Sequence, residues 1–207
     1  MTEPRGSEGV AGHARLAAWL VLTWLLLWWL TRSVIAAASE GKDTLDHLLD
    51  DDGVVEWLQV GLLAAATLLL ASSRAALHRA LALCAAIGVF RELDNFLGDQ
   101  LGAGSHGVAM GLLGALLALL AWRTRDVLGT QASAFLRRPG FVLMACGFLT
   151  IAALSQLLGQ RDLWHELSRP HLLGISKRVV EEGLESAGYL LILAGAVEER
   201  VFGGRTS

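Results

Sequence analysis

The sequence predicts an all-α polytopic membrane protein, a bundle of about six transmembrane helices, on three observations. Of its 207 residues 54% are hydrophobic and only 18% are charged, where an ordinary soluble domain carries about 25% charge. The mean hydropathy is +0.50. The apolar residues also fall in blocks of about 20, the length that crosses a hydrocarbon core of about 30 Å at 1.5 Å per residue. The lipid bilayer is therefore the expected surrounding. A net charge of −3 with no Lys/Arg-rich run leaves no basic face for phosphates, so nucleic acid is excluded as a partner.

The first block, 16–38, follows Arg5 and Arg15 and contains Trp19, Trp24, Trp28 and Trp29. Tryptophans anchor at membrane interfaces, and the block exceeds the core of a signal peptide, so it reads as a retained helix. The run Ala36 to Ala38 keeps a cleaved signal peptide open as the alternative. In the acidic loop 39–53, Leu45, Leu48 and Leu49 form the apolar side of a short amphipathic turn, with Asp43, Asp46 and Asp50 on its wet side. Its spacing does not meet the pattern of a calcium-binding EF-hand.

Gly53 opens the second block, 54–73. The third, 79–98, and the sixth, 179–198, carry charges and are the weakest by hydropathy. Along the fourth, 107–122, Gly107, Gly111 and Ala115 recur at four-residue spacing, which allows a close helix contact. Pro139-Gly140 opens the fifth, 139–158, and Pro170 breaks the chain before the sixth. The tails 1–14 and 201–207 are Gly-rich and charged and are expected to be disordered, which leaves one transmembrane domain over 15–200.

Orientation follows from the cations, because Lys and Arg in short loops are retained on the cytoplasmic side. With six spans drawn, one side collects Arg5, Arg15, Arg74, Arg79, Arg123, Arg125, Arg137, Arg138, Arg200 and Arg205 against Glu3, Glu8, Asp126, Glu198 and Glu199. Both termini are then cytoplasmic, in a membrane of the bacterial inner-membrane type.

The chemistry concentrates at one depth in the outer half. Counting from Arg79, Asp99 stands about 30 Å along the third span, Asp94 about 7 Å inside the outer interface, Glu92 about 10 Å and Arg91 about 12 Å. On the sixth span Glu181 and Glu182 stand about 5 Å inside and Glu185 about 10 Å. Glu92, Asn95 and Asp99 make one polar stripe, and Arg178, Glu182, Glu185 and Tyr189 another. Charges at such depth cost about 2.5–3.5 kcal/mol facing lipid, so the stripes should face each other or a wet cavity. Arg32, Glu56, Gln59 and Gln156 end at similar height, and His106 caps the fourth span.

Carboxylates outnumber cations in this zone, and crowded carboxylates share protons or bind a cation. A proton- or cation-handling site, for transport or sensing, is the first expectation, with Glu92, Asp94 and Glu185 at its core and Arg91 as counter-charge. A second is a structural or assembly subunit whose charges only lock the helices, alone, as a homo-oligomer or with a membrane-protein partner. A third is a metal-dependent membrane hydrolase using His47, His106, His165 and His171, but their spacing does not match a zinc-binding helix pair. No nucleophile or phosphate-loop motif is present, no histidine lies mid-span for haem, and Cys84 and Cys146 sit in apolar blocks as small hydrophobes. No cofactor is therefore expected.

Overall fold

The structure is a computed structural model that describes residues 6–49, 53–101, 105–160 and 173–203. Among them every regular element is helical. In chain order these are α1 (Gly6–Glu40), α2 (Lys42–Leu49), α3 (Val54–Ala71), α4 (Ala76–Glu92), α5 (Asp94–Leu101), α6 (Ser105–Phe135) and α7 (Pro139–Leu149). A π-helical turn over Thr150–Ser155 leads into the short α8 (Gln156–Leu158), and α9 (Leu173–Val197) runs into a second π-helical turn over Glu198–Phe202.

Among the described residues four segments are long and apolar enough to cross a membrane by length and composition: Gly12–Glu40, Asp43–Ala71, Gly107–Phe135 and Pro139–Leu158. The remaining two expected spans fall outside this set for a physical reason. The stretch 79–98 is not one helix, because it breaks at Leu93, whose φ of −88° and ψ of 13° end α4 before Asp94 begins α5. Helix α9 is continuous but carries Lys177, Arg178, Glu181, Glu182 and Glu185 within its first turns.

Two other boundaries differ from expectation. Helix α1 begins at Gly6, so residues 6–14, expected as tail, are helical. The start of this helix is docked by its own sequence: Leu16 and Trp19 pack on Leu143, Leu191 and Ala194. At the other end of α1, Gly41 adopts a φ of +135°, open to glycine at little cost, and turns the chain into α2. The apolar side of α2 then faces protein, with Leu45 and Leu49 buried against Leu30, Ala37 and Val55. The fourth span lengthens to the 31 residues of α6, carrying Arg123, Arg125 and Asp126 well past the apolar block.

The most charged long helix is the most enclosed. α9 packs against α7, α3 and α1, and buries Glu185, Ser186, Tyr189, Ala194 and Ala196. Large apolar side chains point outward from the helices around it, among them Leu68 (72% exposed), Leu112 (67%) and Trp122 (71%). A surface of that kind suits hydrocarbon rather than water.

Glycines let α9 come so close to α7. A Cβ placed on Gly147 would stand 2.5 Å from the carbonyl oxygen of Gly188, and one on Gly188 would stand 2.8 Å from that of Gly147. Seven residues along, Gly140 and Gly195 repeat the arrangement, at 3.0 and 2.7 Å from one another's carbonyl oxygens. The contact is backbone against backbone at two points. Gly107 and Gly111 make no such contact among the described residues, since a Cβ on either would meet nothing within 4 Å.

Two substitutions check this packing. Gly147→Ala should lower thermal stability in detergent by about 1–3 kcal/mol, the cost of overpacking a tight contact. Gly107→Ala should leave stability unchanged or raise it by up to about 1 kcal/mol through helix propensity. Thermal unfolding followed by circular dichroism reads both, and equal effects would mean that the α7–α9 contact is not close.

Candidate functional site

The polar groups of α9 meet partners from three other elements. Glu185 is 4% exposed, and its Oε1 accepts a hydrogen bond of 3.1 Å from Nη2 of Arg91 on α4. The hydroxyl of Ser155 donates to the same oxygen at 3.1 Å. One turn further along α9, the Tyr189 hydroxyl donates to Oε1 of Glu92 at 2.5 Å, and Nε of Arg91 lies 3.7 Å from that oxygen. Arg91 thus stands between two carboxylates, with its own side chain 47% exposed.

The third carboxylate is held differently. Gln59 on α3 is fully buried, and its Nε2 donates to Oε2 of Glu182 at 2.8 Å, to Ser186 Oγ at 3.1 Å and to the Glu182 backbone oxygen at 3.3 Å. The other end of the amide, Oε1, is buried and receives no hydrogen bond from the described residues. Glu182 also borders a cavity of about 260 Å³ that opens between α1 and α9, past Leu27, Leu30 and Val179.

The structure brings Arg91, Glu92, Glu182, Glu185, Tyr189 and Gln59 into this cluster, while Arg32 and Gln156 make none of these contacts. Asp94 is exposed in the first turn of α5, where its charge favours the helix start. Arg32 is exposed on the outward side of α1, and Gln156 is exposed on α8. Glu56 is half-buried one turn before Gln59, and Glu181 is taken by Lys177 at 3.1 Å within α9. The side chains of Asn95, Asp99 and His106 lie outside the described residues, as do His165 and His171. His47 is exposed. Among the described residues no three His, Cys, Asp or Glu side chains are grouped so as to hold a metal ion.

Two members of the cluster escaped the sequence reading. Ser155 replaces Gln156 because the turn Thr150–Ser155 is π-helical: an extra residue per turn rotates the face that an α-helical count assigns. Ser186 lies i, i+4 from Glu182, a spacing that was visible but carried no charge to draw notice.

A second buried charge cluster lies at the opposite end of α9. Glu198 and Glu199, each 5% exposed, occupy the π-helical turn that ends the helix. Nε of Arg15 reaches both oxygens of Glu198 at 3.2 and 3.1 Å, and the Trp19 indole donates to Oε1 at 3.1 Å. Glu199 receives Nη1 of Arg138 at 3.0 Å and stands 3.5 Å from Nε2 of His78. The cation count puts Arg15, Arg138, Glu198 and Glu199 on one side, and that shared side was the signal that could have found their pairing.

Removing one partner of the Arg91–Glu185 pair should be costly, and removing both should not. Arg91→Gln strands a buried carboxylate and should destabilise by about 2–3 kcal/mol, below the roughly 3–5 of a fully buried pair because Arg91 is half-exposed. The Arg91→Gln/Glu185→Gln double variant should recover part of that loss in thermal unfolding. Simple additivity of the two single effects would show that the pair is not coupled.

Comparison with protein-family models, with curated proteins and with solved structures finds no match to this chain.

Proposed function

We propose that the chain is a multi-pass membrane protein of the bacterial inner-membrane type. In this reading six spans cross the bilayer, both termini are cytoplasmic, and the cluster around Glu182 and Glu185 takes up a proton or a cation. The observation that carries this reading is a surplus of acceptor oxygens in a buried place. Glu92 and Glu185 share the Arg91 guanidinium, while Glu182 is met by a neutral amide whose own oxygen has no donor among the described residues. In a medium of low dielectric such a set gains most from a proton or a cation, which supplies the missing positive charge.

The six-span arrangement draws support from two further features. The Arg15–Glu198 contact brings the entry of α1 and the exit of α9 to the same end of the bundle, as an even number of crossings requires. In helix α9 the deepest charge, Glu185, is buried against neighbouring elements, and Lys177 and Glu181 pair with each other. A span shielded on its charged side by other helices need not be apolar all round.

The structural reading has an observation of its own in its favour. Arg91, Glu185 and Ser155, with Tyr189 and Glu92, form mutual hydrogen bonds that fix three helices in register. Glu182 separates the two readings because it lies outside the Arg91 pairing. The hydrolase reading draws on histidines outside the described residues, and no described feature favours it.

In proteoliposomes loaded with a pH-sensitive dye, the wild-type chain should dissipate an imposed proton or potassium gradient, or show a stability that depends on pH or cation. Glu182→Gln should keep the fold and weaken that response about tenfold, equivalent to roughly 1.4 kcal/mol of site affinity. A folded Glu182→Gln with a wild-type response would assign the cluster to helix locking alone.

A further inference from the structure

The end of the bundle where the chain enters and leaves holds a cavity of about 460 Å³, framed by the start of α1, the start of α7 and the last turn of α9. Three guanidinium groups border it, those of Arg15, Arg137 and Arg138. Two carboxylates, Glu198 and Glu199, line it as well, and each holds one of these arginines. Glu198 engages Arg15 through Nε, and Glu199 engages Arg138 through Nη1, with both carboxylates almost wholly buried.

A guanidinium carries five N–H donors. The bonds to Glu198 and Glu199 therefore leave the Nη groups of Arg15 and the Nε and Nη2 groups of Arg138 with donors to spare. Arg15 is also stacked on the Phe202 ring at 4.3 Å, which holds its plane. Arg137 is exposed and makes no ion pair among the described residues, so its charge is uncommitted. The first turn of α7 borders the same space, and a helix start adds a partial positive charge.

We propose that this cavity binds a phosphate-bearing anion, with Arg15 and Arg138 as oriented donors and Arg137 as the added charge. The buried glutamates serve the site by aiming two arginines and by cancelling the charge that would otherwise oppose packing three cations together. The location suits the phosphate of an anionic lipid, because three span ends meet there and oriented arginines recognise phosphate oxygens in pairs. A soluble phosphate compound offers the same oxygens. The inference is independent of the carboxylate cluster near Glu185 and stands at the other end of α9.

The test uses the full chain, delipidated in a neutral detergent, with native mass spectrometry to count retained lipid after adding phosphatidylglycerol or phosphatidylcholine. Phosphatidylglycerol should be retained in preference, and Arg137→Gln should weaken its retention about fivefold, the effect of one surface cation. Arg123→Gln, an exposed arginine outside the cavity, should bind as wild type. Competition by millimolar inorganic phosphate would support the site and assign it to a soluble phosphate compound, whereas retention insensitive to phosphate would assign it to the lipid. Equal retention of both lipids with no effect of phosphate would overturn the proposal. So would an Arg137→Gln protein that is folded, as judged by its thermal transition, and binds as tightly as wild type.

Discussion

The arrangement depends on keeping the charges of α9 away from the apolar surroundings that the rest of the chain is built to meet. Glu185 and Glu198 lie 13 positions apart on or just past one helix and are both nearly buried. A buried carboxylate that loses its partner is far costlier than one never buried, so each fixes the position of whatever supplies that partner. Arg91 ties α4 to the middle of α9, Gln59 ties α3 to the same stretch, and Arg15 ties α1 to its end. The apolar helices are thus placed by a few polar bonds, and their outward faces remain apolar and exposed.

Polar bonds need short reach, and the glycines provide it on one side. With no side chain between Gly147 and Gly188, or between Gly140 and Gly195, α7 lies against the backbone of α9. Ser155, at the far end of the π-helical turn that follows α7, is thereby near enough for its short hydroxyl to reach Glu185. A serine on a more distant helix could not make that bond. The packing detail and the polar site are consequences of one another.

The helical class and the apolar segments were legible because length and hydropathy are local properties of a sequence. So was the convergence of Glu92, Glu182, Glu185 and Tyr189 with Arg91, since depth along a span and angle around it follow from residue counting. Counting fails wherever the helix departs from regularity. The break at Leu93 starts Asp94 on a new helix, and the π-helical turn exchanged Gln156 for Ser155. The glycines that matter were also illegible, because Gly140 and Gly147 acquire meaning only opposite Gly195 and Gly188 on a distant part of the chain. Gly107 and Gly111 on α6 had the more familiar spacing and, among the described residues, no partner. Glu198 and Glu199 were read as ordinary interfacial acids, since nothing local reveals that Arg15 and Arg138 close over them.

The double glycine contact has a mechanical meaning. Two backbones touching at points seven residues apart cannot slide along one another without driving carbonyl oxygens into Cα atoms, so translation between α7 and α9 is blocked in both directions. Tilting about the seam is the softer freedom left to the pair. The two arms of that tilt end at different chemistry, Ser155 against Glu185 on one side and Arg138 against Glu199 on the other. The seam is therefore a fulcrum, with one polar cluster at the end of each arm.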